Sequence, residues 1–288
     1  MNCVVCGRIS SKPICEICSK RITIDYPFII HHGLLIGDFE GMSEEHLFKN
    51  DLEKLNEEAK KVIMGDGGDR LKLAKTALIF HKKYHFLLDS MEIDEKYYLH
   101  LAREFVRDED SPEAKFLLAK IYIEMEEYEE AEHILEDIWR DKREYAILYG
   151  KTLVNVGKWG RAIEVYNHIL GENKEDSEIW KLLADALYVA EKYEEAERAY
   201  LKVLQMNKDD YEAWYRRGLC LKKLGKWGGA LQSFQTAVRK NPKYREAYEG
   251  MLDILIEREM YTRAIEVLKR MKEEGFEVEE RIRELEGR

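Results

Sequence analysis

The chain repeats itself with a period of 34 residues, and no other feature constrains its fold as tightly. Residues 143–176, 177–210 and 211–244 put the same residue types in the same columns. The fourth column holds Ala146, Trp180 and Trp214, then Tyr248 in the next block. The eighth holds Gly150, Ala184 and Gly218, and the twentieth Ala162, Ala196, Ala230 and Ala264. The seventeenth is aromatic throughout, with Trp159, Tyr193, Trp227 and Tyr261. The twenty-fourth is bulky, with Tyr166, Tyr200, Phe234 and Leu268. An earlier block, 112–142, fits through Ala119, Tyr128, Ala131 and Leu135. It is three residues shorter, which predicts a clipped second helix or exit loop.

These columns have a mechanical meaning. Small residues in the eighth and twentieth positions let two helix backbones approach closely. The large residues between them fill the space alongside. Gly157-Lys158 and Gly225-Lys226 mark the turn between paired helices, because Gly ends a helix in the left-handed region without a Cβ penalty. Pro242 falls where a second helix must stop. One such hairpin cannot bury its apolar face alone, so neighbours must stack.

The pattern resembles the tetratricopeptide repeat family. The resemblance covers residues 112–276 in five blocks: 112–142, 143–176, 177–210, 211–244 and 245–276. It implies an all-α fold, an α-α superhelix. Residues 277–288 (EVEERIRELEGR) predict a polar capping helix, since a terminal repeat needs a wetted outer face.

Upstream, 43–111 predicts an irregular helical region, in part a degenerate hairpin. Ser43 can cap a helix striped by Leu47, Leu52, Leu55, Ala59, Val62 and Ile63. Asp69 can cap a second with Leu73, Ala77 and Phe80 inward, and Asp94 a third with Tyr98, Leu101 and Phe105. Residues 25–42, with Pro27, Gly33, Gly37 and Gly41, predict a linker or short hairpin.

Residues 1–24 carry Cys3-x-x-Cys6 and Cys15-x-x-Cys18. Four thiolates in two knuckles suit tetrahedral Zn²⁺ in a closed, structural site. The arrangement resembles a zinc ribbon, although its eight-residue spacer is shorter than that pattern's usual roughly 15–20. Disulfides fit poorly in a chain with no mark of secretion. An iron–sulfur cluster takes the same ligands but suits this spacing less well, and a redox pair would need a βαβ context. So short a segment would draw most of its folding free energy from the metal.

The net charge is −10, which argues against a general nucleic-acid binder. Arg8, Lys12, Lys20 and Arg21 nevertheless make the cysteine segment basic. Only three Gln occur among abundant Glu and Lys, a bias shared with heat-adapted proteins. No apolar run approaches the roughly 20 residues of a membrane span, and cysteines stand where a signal peptide would be apolar. A cytoplasmic protein is expected. No nucleophile–base arrangement or phosphate loop is visible, so an enzyme is not expected. His81 and His85 lie four apart without a metalloprotease Glu, and Cys220 reads as a buried structural thiol.

In the family resembled, first helices line a partner-binding surface. The matching positions here include Phe116, Lys120, Ile123, Ile147, Lys151, Val154, Lys181, Tyr188, Tyr215 and Lys222. The second column is always Glu (Glu113, Glu144, Glu178, Glu212, Glu246), which also suits the positive end of a helix dipole. Leu148 and Leu182 replace the Asn of a carboxylate clamp, which disfavours tail-carboxylate binding there. The expectation is a scaffold for a protein or peptide partner, with self-association open. The alternative is an adaptor whose basic zinc module touches RNA or DNA.

Overall fold

The computed structural model describes residues 68–90 and 96–287, and within 51–62 residues 51, 54, 55, 57–59, 61 and 62. The four cysteine ligands, the 25–42 segment, Ser43, Leu47, Leu52 and Ile63 lie outside the described residues. No strand occurs among those described. The chain divides into two compact units, 1–145 and 146–288.

The first unit contains α1 (Arg70–Ser90), α2 (Tyr97–Val106), α3 (Pro112–Glu124) and α4 (Tyr128–Ile138). Asp69 opens α1, its Oδ1 accepting from Lys72 N at 3.1 Å. Leu73, Ala77 and Phe80 are buried, as are Tyr98, Leu101 and Phe105 on α2. The Phe80 ring meets Tyr84 and Tyr98 at 4.8 and 4.6 Å. The position before α2 is held by Lys96 without a side-chain cap, and Asp94, expected from sequence to cap this helix, lies outside the described residues. Ser111 caps α3 and Pro112 occupies its first turn, where a missing N–H removes nothing. The three-residue deficit of this block falls on its second helix: α4 has 11 residues against 13 or 14 in its counterparts.

In the second unit the hairpins pair α5 (Arg143–Asn155, whose first residues belong to the first unit) with α6 (Trp159–Glu172), α7 (Ser177–Val189) with α8 (Tyr193–Met206), and α9 (Tyr211–Lys223) with α10 (Trp227–Lys240). α11 (Arg245–Glu257) and α12 (Tyr261–Glu273) follow, and α13 (Glu279–Glu286) closes the chain. The small columns do what their size predicts. A Cβ on Gly150 would stand 2.5 Å from the Tyr166 ring, and one on Gly218 would stand 2.5 Å from Phe234. Ala162, Ala196, Ala230 and Ala264 are all fully buried. Val278 just ahead of α13 and Leu285 on it are buried and Ile282 is half-buried, while the other residues of the helix are charged, which suits a terminal cap.

The seams between hairpins recur chemically. Asn173, Asn207 and Asn241 each turn the chain by accepting from the backbone two residues on. Asp176 and Asp210 then cap the next helix through Ile179 N and Ala213 N. Trp180 and Trp214 donate their indole N–H to the carbonyls of Lys174 and Lys208 at 2.9 and 3.0 Å.

Every first helix in the repeats ends on a left-handed residue in the fifteenth column. Gly157 and Gly225 were legible, but Glu126, Glu191 and Glu259 adopt the same conformation with φ of 64°, 59° and 56°. Backbone bonds such as Lys192 N to Leu187 O at 2.9 Å close the motif whatever the side chain. A Cβ in that region is strained by about 1–2 kcal/mol, partly offset by glycine's extra freedom when unfolded. Glu191→Gly should therefore stabilise the protein by about 1 kcal/mol. A urea midpoint that fails to rise would show the side chain makes a compensating contact.

Candidate partner-binding face

The first helices of the second unit carry Tyr188, Tyr211 and Tyr215, and Tyr244 lies just ahead of α11. Tyr215 meets Tyr244 edge-on at 5.3 Å, and Tyr211 meets it at 5.0 Å. Tyr215 also lies 5.7 Å from Phe234, which anchors it to the core, and Tyr188 rests edge-on against Tyr193 at 5.4 Å. These tyrosines are half-buried, so each offers a ring edge or a phenol. Burial holds the Tyr188 and Tyr215 phenols above their ordinary pKa, and pushes Tyr244 up to about 12 with help from Glu246. All three therefore remain neutral hydrogen-bond donors across the physiological range.

Polar groups border the rings. Tyr200 donates to Asp185, which also lies 4.0 Å from Arg216. Desolvation works against the Arg216 charge, but the Asp185 carboxylate outweighs it and raises the pKa. Cys220 is buried nearby, and burial pushes its thiol up to about 12. Such a thiol is protonated and inert, as a packing role requires.

The lysines expected on this face are present but partnered. Lys181 bridges Glu212 at 2.7 Å and Asp210 at 3.5 Å, and Lys222 meets Asp253 at 2.8 Å. Burial disfavours the Lys181 ammonium, yet the Glu212 hydrogen bond and the Asp210 field raise its pKa. In the first unit Lys120 reaches Glu144 at 3.3 Å, and Glu113 takes Lys142 at 2.6 Å. Glu144 and Glu212 thus tie one hairpin to the next, a role beyond the helix dipole. Exposed pairs of this kind contribute little each, on the order of 0–1 kcal/mol, so a ligand can displace them.

The remaining expected residues are distributed unevenly. Ile147 and Val154 are half-buried and Lys151 is exposed in the second unit. In the first unit Ile123 is half-buried. Phe116 is buried, stacked 4.3 Å from Tyr145 with Lys120 Nζ 4.1 Å over its ring, so its surface is already covered. Tyr211, Tyr244, Asp185 and Arg216 were not singled out from sequence. Tyr211 and Tyr244 stand at the edges of the repeat, in its first and thirty-fourth columns, and the 34-residue register could have flagged them as neighbours. His81 is buried, and the side chain of His85 lies outside the described residues. Among the described residues no His, Cys, Asp or Glu group is arranged to hold a metal, and no helix is long and apolar enough to cross a membrane.

Helix pairs in a 34-residue register, crossing at small residues and closed by left-handed turns, define a tetratricopeptide-like array. Comparison with known proteins agrees. The family profiles described as tetratricopeptide repeat match residues 104–151, 182–235 and 221–275. A profile described as anaphase-promoting complex, cyclosome, subunit 3 matches 140–203. Among solved structures, MamA 41-end from Desulfovibrio magneticus RS-1 is similar at 18% identity, covering 57% of this chain and 94% of that one with a TM-score of 0.52. A MamA RS-1 double mutant gives the same values. A further MamA protein gives 16% identity, 56% and 90% coverage and a TM-score of 0.51. At these identities the likeness is one of fold. A search of curated proteins found no match.

Proposed function

We propose that this chain is a non-catalytic, cytoplasmic scaffold that binds a peptide or protein segment on its first-helix face. The observation that carries the reading is the tyrosine cluster of the second unit. Half-buried rings in a rigid helical setting give large contact area at low entropic cost, which is what anchors a binding surface. Tyr188, Tyr215 and Tyr244 supply apolar contact and neutral donors, and Arg216 supplies a fixed charge. Lys181 and Lys222 form a charged rim, together with Lys151. Ile147 and Val154 extend the apolar part along α5. In the first unit Ile123 and Lys120 offer a smaller patch. Residues 1–24 are proposed to form a structural zinc module with Cys3, Cys6, Cys15 and Cys18 as ligands, joined by 25–42 to the helices.

One set of preparations tests both parts. Peptides selected against the full chain from a random display library are titrated against the Tyr188→Ala/Tyr215→Ala variant. Binding should weaken at least about tenfold with the helical signal retained. Equal affinity would remove this face from the proposal. Metal analysis of the same protein should find about one zinc per chain, lost in Cys3→Ser/Cys18→Ser without loss of helicity. Protein devoid of zinc would end the metal assignment.

A further inference from the structure

A cleft of about 390 Å³ opens between the second helices α10 and α12, with α11 as its floor. It is a different surface from the first-helix face. Its most informative group is Tyr248. The side chain is 1% exposed and lines the cleft, and its phenol O–H finds no acceptor: the polar group beside it is the Arg270 guanidinium, which can only donate. A buried hydroxyl left without an acceptor is destabilising. The repeat makes the exception plain. Trp180 and Trp214 occupy the same column and both satisfy their N–H on a backbone carbonyl.

The surroundings indicate what is missing. Arg263 and Arg270 line the cleft, and guanidinium groups only donate. The Arg270 charge acts on the phenol itself, while Glu273 at the end of α12 and Glu274 just beyond it act on it without lining the cleft. Gln232 and Gln235 line the opposite wall, and they are two of only three glutamines in the whole chain. Glu266 is the one acid in the lining. Each glutamine amide brings an acceptor as well as two donors, so the lining has more donors than acceptors, and it carries a single excess positive charge. Leu231, Met251 and Val267 supply apolar wall between these groups. Gly228 lines the cleft without a side chain, and a Cβ there would meet nothing within 4 Å.

We propose that this cleft binds a monocarboxylate on a short aliphatic stem. The carboxylate accepts from Tyr248 and from a guanidinium, and the stem lies on the apolar wall. A dianion is disfavoured by Glu266. The volume falls in the range of small-ligand sites. Such a carboxylate has two sources, a free branched acid or the C-terminal leucine of a peptide.

The full-length protein is titrated by calorimetry with 4-methylpentanoate, with acetyl-Ala-Ala-Leu bearing a free C-terminus, and with the same peptide amidated. Binding by the free acid identifies a small-acid site, and binding by the peptide alone identifies a partner's terminus. Either supports the proposal. Arg270→Gln and Tyr248→Phe should each weaken the bound acid at least about tenfold, and Gly228→Phe should abolish binding by filling the space. Tyr248→Phe also removes an unsatisfied hydroxyl, so its melting temperature should stay level or rise, which separates lost binding from lost folding. Failure of both acids to bind, an amide that binds as well as the acid, or indifference to Arg270→Gln would overturn it.

Discussion

Gly218→Val should lower stability by about 3 kcal/mol, because it drives a branched side chain into a ring that has nowhere to go. The first added carbon alone would stand 2.5 Å from Phe234 Cε1 and 2.7 Å from Cδ1. The ring cannot swing away, since Gly250 on the following hairpin approaches its other face, where a Cβ would stand at 2.8 Å. The eighth column is not closed to a side chain in principle, as Ala184 shows. The clash belongs to this ring between these two glycines. The urea midpoint should fall with an unchanged slope. Gly228→Ala, which enters open space, is the matched control and should be neutral or slightly stabilising. A Gly218→Val midpoint equal to the control would mean the crossing is looser than its distances indicate.

Phe234→Ala should cost about 4 kcal/mol. The ring is fully buried and touches two successive hairpins, so its removal opens a hole at the junction. Gly218 and Gly250 have no side chains to fill the hole, which places the variant toward the severe end of such truncations. The two sites should also couple. Gly218→Ala alone should destabilise, whereas on a Phe234→Leu background it should be nearly neutral, because its methyl enters vacated space. A double-mutant cycle returning no interaction energy would contradict the contact.

The hairpins were legible because a repeat displays the same physical constraint several times. Gly150 and Gly218 differ from their neighbours in a way that only close packing against Tyr166 and Phe234 requires. Positions governed by backbone geometry alone were less legible. Glu126, Glu191 and Glu259 give no sign of a left-handed turn, because the hydrogen bonds around the turn hold them there. The binding face was half legible. Tyr188 and Tyr215 follow from their columns, while Tyr244 joins them only when successive blocks are laid side by side. The lysines were placed correctly on their helices, but the sequence did not reveal that Lys120, Lys181 and Lys222 each answer an acid on the next hairpin. That pairing depends on the distance between neighbours in space, which a column of letters does not contain.

The recurring Asn and Asp seams have a consequence for how such a chain can change length. The junctions that begin at Asn173 and Asn207 each carry their own turn and their own helix start within a few residues. Copying or excising a whole module leaves every surviving joint chemically intact. Growth by duplication is therefore an accessible route for this sequence, and the number of modules can drift in descendants without any of them having to invent a new connection.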